Sequence, residues 1–197
     1  MATWGLPYRG SKSKIAEKII LLLPVGHRFV DLFGGGGAMS HCATRYYRQV
    51  LYNDVDPLTV EYFSRAMSGD YDIRWINRAE FNDLEISNMD YRDYVYQDGD
   101  IVYCDIPYAS TEGYDGTSAN TDFDTEAFLE WVRTRPYQVY FSSYSAPDEF
   151  YKEEIATVTA FSGDKAHQAR RTENLYSNGK IRKTIWEIID DYSERTI

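Results

Sequence analysis

The run Asp31-Leu32-Phe33-Gly34-Gly35-Gly36-Gly37 restricts the fold more than any other stretch. Residues 27–32 read as a buried strand, and residues 38–47 have the spacing of a helix. A strand turning through glycines into a helix brings bare backbone close to whatever lies above it, because glycine adopts positive φ without a steric cost. The helix start adds free N–H groups aimed at the same space. The alternation continues along the chain. Strands are expected at 50–54, 84–88, 101–105, 138–143, 155–161 and 184–190. Helices are expected at 11–23 (capped by Ser11, stopped by Pro24-Val25-Gly26), 57–67 (Pro57 in its first turn), 91–96, 123–134 and 146–154. Strands alternating with helices predict an α/β layer fold with a mainly parallel sheet. A length of 197 residues with no repeat or Pro-rich linker predicts one domain, 1–197.

Asp105-Ile106-Pro107-Tyr108 is the second informative stretch, placed where the strand after Gly99-Asp100 ends. A carboxylate, a bend and an aromatic ring there can hold a flat ring that carries an amine. The ring stacks on Tyr108, and its NH2 donates to Asp105 and to a neighbouring carbonyl. Asp-x-Pro also makes ordinary turns, so the motif gains weight from the glycine turn. In open α/β sheets, ligands sit at the carboxyl ends of strands near the switch point. If the glycine strand and the Asp105 strand are neighbours, a cofactor and a stacked ring face each other. Asp54 closes the next strand about 20 residues beyond the glycines, where a carboxylate takes ribose hydroxyls, with Asp56 as a competitor. A dinucleotide and S-adenosylmethionine both suit this arrangement. The glycines do not match G-x-G-x-x-G cleanly, and no phosphate-loop motif occurs.

A net charge of -10 opposes a nucleic-acid partner, because phosphate binding draws on basic surface. The charge is uneven, however. Arg9, Lys12, Lys14 and Lys18 cluster near one end, and Lys165, Arg170, Arg171, Lys180, Arg182 and Lys183 near the other, although such runs are as often plain solvated surface. Cys42 and Cys104 lack CxxC partners and read as buried reduced thiols, the habit of a cytoplasmic protein. The three histidines are scattered, which argues against a zinc-type site. No apolar run reaches membrane-spanning length.

Four blocks occur in order: Tyr8-Arg9-Gly10-Ser11-Lys12, Asp31 to Gly37, Asn53-Asp54, and Asp105 to Tyr108. Together they resemble the Dam-like, D12-class N6-adenine DNA methyltransferases, phage-borne members included. Asp90-Tyr91, Phe141-Ser142-Ser143-Tyr144 and the segment from Arg171 to Asn178 resemble further blocks of that family, so the likeness runs from Tyr8 to about Asn178. The resemblance implies a Rossmann-like methyltransferase fold with helices on both faces and an antiparallel last strand. It also implies S-adenosylmethionine as cofactor and methyl transfer to N6 of an adenine flipped out of duplex DNA, with no metal. Asp105, the Ile106 carbonyl, Pro107 and Tyr108 then form the catalytic set. Lys12 meets the cofactor carboxylate, Tyr8 packs on the cofactor, and Phe33 walls its pocket. Gly35 and Gly37 allow its close approach, Asp54 takes its ribose, Asp90 takes the amine of the cofactor's own adenine, and Asp31 orders the glycine turn. Arg170, Arg171, Lys180, Arg182 and Lys183 are the DNA contacts.

Three departures qualify the likeness. Ser11 replaces a glycine, and Ile106 replaces a proline whose carbonyl is the working part. Residues 68–88 leave little room for the family's target-recognition domain. Specificity is then short, relaxed, carried by another subunit or placed in the basic stretch 165–183. Rival readings are a methyltransferase acting on RNA or on cytosine N4, a non-catalytic S-adenosylmethionine-binding or DNA-associated module, and a dehydrogenase.

Overall fold

The computed structural model describes residues 4–8, 10–70, 83–107, 123–159 and 170–181. Seven strands form one sheet: β1 (Arg28–Asp31), β2 (Gln49–Asn53), β3 (Leu84–Ser87), β4 (Asp100–Cys104), β5 (Val139–Ser143), β6 (Tyr151–Thr159) and β7 (Arg170–Ser177). Their order is β3-β2-β1-β4-β5-β7-β6. The first five run parallel, and β7 pairs antiparallel with both β5 and β6. The helices are α1 (Ala16–Leu22), α2 (Ala38–Ala43), α3 (Pro57–Ser68) and α4 (Thr125–Arg133). This is the doubly wound sheet that the alternation predicts.

Alternate residues of each strand feed different cores. Phe29, Val50, Tyr103 and Tyr140 pack with α1 and α2 residues such as Ile19, Ile20 and Met39. Val30, Leu51, Val102 and Phe141 pack with Phe128, Trp131 and Val132 of α4. Helices therefore cover both faces, and the central strands are apolar on both sides. Tyr52 stacks on Phe63 of α3 at 3.8 Å, forming a third cluster with Leu6 and Ala66.

Local chemistry explains several boundaries. Asp56 caps α3 by accepting from Leu58 N, Thr59 N and Thr59 Oγ1, and Pro57 follows in the first turn. Its side chain thus serves the helix start. Ser11 is not the cap of α1: its Oγ accepts from Ser13 N, and the helix begins only at Ala16. The helix expected at 146–154 is a turn followed by the edge strand β6. Tyr151 to Glu154 pair with Ser177 to Asn174, so ladder hydrogen bonds override local helix preference. The strand expected at 184–190 lies outside the described residues.

Candidate active site

β1 and β4 are direct parallel neighbours, with Asp31 opposite Tyr103, so the glycine turn and Asp105 open side by side at the carboxyl edge of the sheet. Beyond β1 the chain turns through Gly34 to Gly37. Gly35 and Gly37 have φ of 48° and 70°. A Cβ on Gly37 would fall 2.1 Å from the Phe63 ring, so this glycine is needed for packing as much as for a ligand. Tyr8 lies over Gly35 and Gly36, and the Leu6 N–H donates to the Gly36 carbonyl at 2.6 Å. The N-terminal segment is thereby laid across the turn.

Three carboxylates lie at or just beyond the carboxyl ends of β1, β2 and β3. Asp54 accepts from Gly35 N and Asp56 N, each at 2.9 Å, so it braces the loop that the resemblance assigns to the cofactor. Burial raises its pKa despite those hydrogen bonds. Asp31 is fully buried, and its Oδ2 accepts from Ser40 N and Ser40 Oγ (2.7 Å). Its Oδ1 has no partner among the described residues. Burial pushes the Asp31 pKa up to about 7; the Ser40 bonds oppose the rise, and the charges of Asp105 and Asp54 add to it. Asp90 sits at the start of a 3-10 turn (Tyr91–Asp93), accepting from Arg92 N and pairing with its guanidinium at 2.6 Å. Arg92 holds the Asp90 pKa down, against the opposing effect of burial. Phe33 forms an aromatic wall with Tyr91 and Phe123, at centroid distances of 5.4 and 5.7 Å.

The fourth carboxylate, Asp105, is held by residues from two other segments. Lys12 Nζ lies 2.6 Å and Ser142 Oγ 3.0 Å from the same oxygen, Oδ1. Lys12 also faces Glu173 of β7 at 3.5 Å, and both of these side chains are buried. Burial works to lower the Lys12 pKa, but Asp105 and Glu173 outweigh it, so the ammonium form is favoured. The structure thus places Lys12 on the carboxylate of the Asp-x-Pro-Tyr motif. The Ile106 side chain is buried in the core, which pins the backbone at that point. Pro107 follows, half-buried. Tyr108, Arg182 and Lys183 lie outside the described residues. Arg170 and Arg171 open β7, and Lys180 is exposed beyond its end.

Sequence reasoning assigned no role to four residues here. Asn53 links the Leu32 and Met89 carbonyls through its Nδ2 and accepts from Met89 N, which ties β1, β2 and the loop before Asp90 together. Its signal was the Asn53-Asp54 pair. Val55, directly after Asp54, is 62% exposed, an apolar surface beside the carboxylate. Ser142 and Glu173 had fainter signals: one of two serines at a strand end, and one acid within a basic stretch.

Comparison with known proteins bears on the cofactor side of this site. Residues 8–76 match the model of the D12 class N6 adenine-specific DNA methyltransferases. The matched stretch carries Tyr8, Lys12, the glycine turn and Asn53-Asp54, and ends before Asp105. No curated protein matches the sequence. Among solved structures, precorrin-6y C5,15-methyltransferase from Geobacter metallireducens superposes with a TM-score of 0.55 at 9% identity, over 90% of this chain and 93% of that one. The 23S rRNA methyltransferase ErmE gives 0.54 at 14% identity, over 88% and 70%. An rRNA methylase from Streptococcus thermophilus gives 0.51 at 11%, over 86% and 96%. At these identities the likeness is one of fold: the chain has a Rossmann-like methyltransferase fold. The D12-class family model and the fold together support methyl transfer, with S-adenosylmethionine the cofactor that such a family implies. Neighbours named for precorrin and for rRNA leave the acceptor to be argued from the site.

Proposed function

We propose that this protein is an S-adenosylmethionine-dependent methyltransferase acting on N6 of adenine in DNA. The observation that carries the reading is the adjacency of the glycine turn and Asp105 at one edge of the sheet, joined to the D12-class match over the turn. The donor set suits a cationic cofactor: Asp31 has a buried Oδ1 without a partner among the described residues, and Asp54 and Asp105 stand close enough to raise its pKa. Bound S-adenosylmethionine supplies a methyl group on positively charged sulfur. Tyr8, Phe33, Gly35, Gly37, Asp54 and Asp90 hold it, with Val55 offering an apolar face.

An exocyclic amine is a weak nucleophile because its lone pair is spread into the ring. Asp105 and the Ile106 carbonyl accept its two hydrogens, which draws the lone pair out of conjugation and orients it. Tyr108 stacks on the base once it has left the helix. Asp105 takes the proton that N6 sheds when the nitrogen–carbon bond has formed and the carbon–sulfur bond has broken. Arg170, Arg171, Lys180, Arg182 and Lys183 meet phosphates, which offsets an acidic chain locally.

The test is a radiolabelled methyl-transfer assay on mixed-sequence DNA and on RNA, followed by digestion and identification of the modified base. N6-methyladenine in DNA is expected. Label confined to RNA or to cytosine would replace the acceptor while keeping the enzyme class. Tight cofactor binding without transfer to either nucleic acid would mark a non-catalytic module. Neutralising Arg170, Arg171, Lys180, Arg182 and Lys183 together should flatten the salt dependence of DNA binding, and an unchanged slope would move the phosphate contacts elsewhere.

A further inference from the structure

We propose that Ser142 and Glu173 are positioning residues for Asp105, Ser142 directly and Glu173 through Lys12. Their joint effect is to lock Oδ1 and present Oδ2 to the substrate amine. The inference rests on the reading of Asp105 as the amine acceptor.

Among the described residues, the donors to Asp105 both fall on Oδ1: Lys12 Nζ at 2.6 Å and Ser142 Oγ at 3.0 Å. An ionised carboxylate only accepts, so Ser142 must spend its single proton on Asp105. Its oxygen is then left to accept, and the Tyr103 hydroxyl, 3.0 Å away, donates to it. Ser142 and Tyr103 are fully buried on neighbouring strands, β5 and β4. A chain of hydrogen bonds whose direction is settled by the carboxylate at its end therefore fixes one edge of Asp105. With Oδ1 taken twice, Oδ2 is the oxygen through which Asp105 can accept an amine hydrogen.

Glu173 sets the other half of the clamp. It is 3% exposed and lies 3.5 Å from Lys12. Burying a carboxylate is costly unless a cation offsets it, and a well-packed apolar pair often serves stability better. Stability alone thus gives little reason for the glutamate. Its position gives one: Glu173 on β7 and Asp105 after β4 hold the ammonium between them. The Lys12 carbonyl accepts from Ile15 N and Ala16 N, both at 2.8 Å, so the residue is also anchored to the start of α1. The charged and titratable groups that face Lys12 include Asp105 after β4, Glu173 on β7 and Tyr144 after β5.

The test measures kcat, KM and cofactor affinity for Ser142→Ala, Glu173→Gln and Asp105→Ala on mixed-sequence DNA, with kcat normalised to the fraction that binds S-adenosylmethionine. Asp105→Ala should lose transfer. Ser142→Ala should lower kcat by up to roughly 100-fold, the effect of a misplaced reacting group, with cofactor affinity within about twofold of wild type. Glu173→Gln should lower kcat and move the alkaline limb of its pH profile to lower pH, because Lys12 loses one of the charges that keep it protonated. A merely structural role would lower the melting temperature and leave the normalised kcat and its pH profile in place. Should Glu173→Gln not fold, Ser142→Ala decides alone. Inactive Asp105→Ala beside wild-type kcat in the folded variants overturns the positioning role only. Active Asp105→Ala overturns the functional reading beneath it.

Discussion

The two ends of the central strands use the same chemistry to opposite effect. At the amino end, Arg28 of β1 grips Asp100 of β4 with two hydrogen bonds, at 2.8 and 2.9 Å. The Tyr94 hydroxyl and the Gln97 N–H donate to the same carboxylate, so both of its oxygens are engaged. Burial works to raise the Asp100 pKa, and these donors overcome it and hold it below the usual range. At the carboxyl end, Asp31 and Asp105 follow the same two strands, yet Asp31 Oδ1 has no described partner and the donors to Asp105 crowd one oxygen. A closed polar network locks strands together, whereas an open one retains capacity for a ligand. The difference supports the carboxyl end as the place of the proposed chemistry.

The comparison can be broken at either end. The largest effect is expected from Asp105→Ala, which should cost methyl transfer roughly 10³-fold while S-adenosylmethionine still binds in a calorimetric titration. Arg28→Met leaves Asp100 buried without its cation and should destabilise the fold by about 3–5 kcal/mol, read from denaturant midpoints. If it instead abolished transfer at unchanged stability, the amino end would not be merely structural.

Asp31→Asn sharpens the contrast through pH. The Asp31 carboxyl titrates at about 7 in the folded chain, against 3.8 for its ordinary value. The folded state therefore binds the extra proton between those values, and this contribution to stability, complete below about pH 4, is lost as pH rises through 7. Wild type without cofactor should lose up to about 4 kcal/mol over that window relative to Asp31→Asn. Parallel stability curves for the two proteins would contradict an uncompensated carboxyl there. The smallest effect is expected from Tyr94→Phe, which removes one donor to a carboxylate that keeps three; about 1.5–3 kcal/mol should be lost, with kcat unchanged.

Much of the fold was legible because short apolar runs, Pro57 and the glycine turn act locally. The errors were also local in origin. Residues 146–154 have helical composition but lie partly in an edge strand whose partner, β7, comes later in the chain. Ser11 has the chemistry of a cap, but the backbone needs another turn before it winds into α1. At the site, Asp105, Ile106 and Pro107 were readable as a motif, and Asp31 and Asp54 by their distance from the glycines. Ser142 and Glu173 fall within stretches that resemble family blocks, yet nothing local marks either as a contact, since Asp105 and Lys12 lie far from them in sequence. Lys12 was noticed as part of a motif, but its contacts with Asp105 and Glu173 exist only across β4 and β7.

The sequence by itself determined the order of strands and helices, the glycine turn and the carboxylate at the end of β4, because side-chain alternation and backbone freedom are properties of neighbouring residues. The tertiary structure decided that β4 lies beside β1, that β7 inserts between β5 and β6, and that one buried ammonium holds two carboxylates from separate strands. These outcomes depend on strand pairing and on charge burial over long separations, where each group's preference is set by a partner that local pattern does not contain.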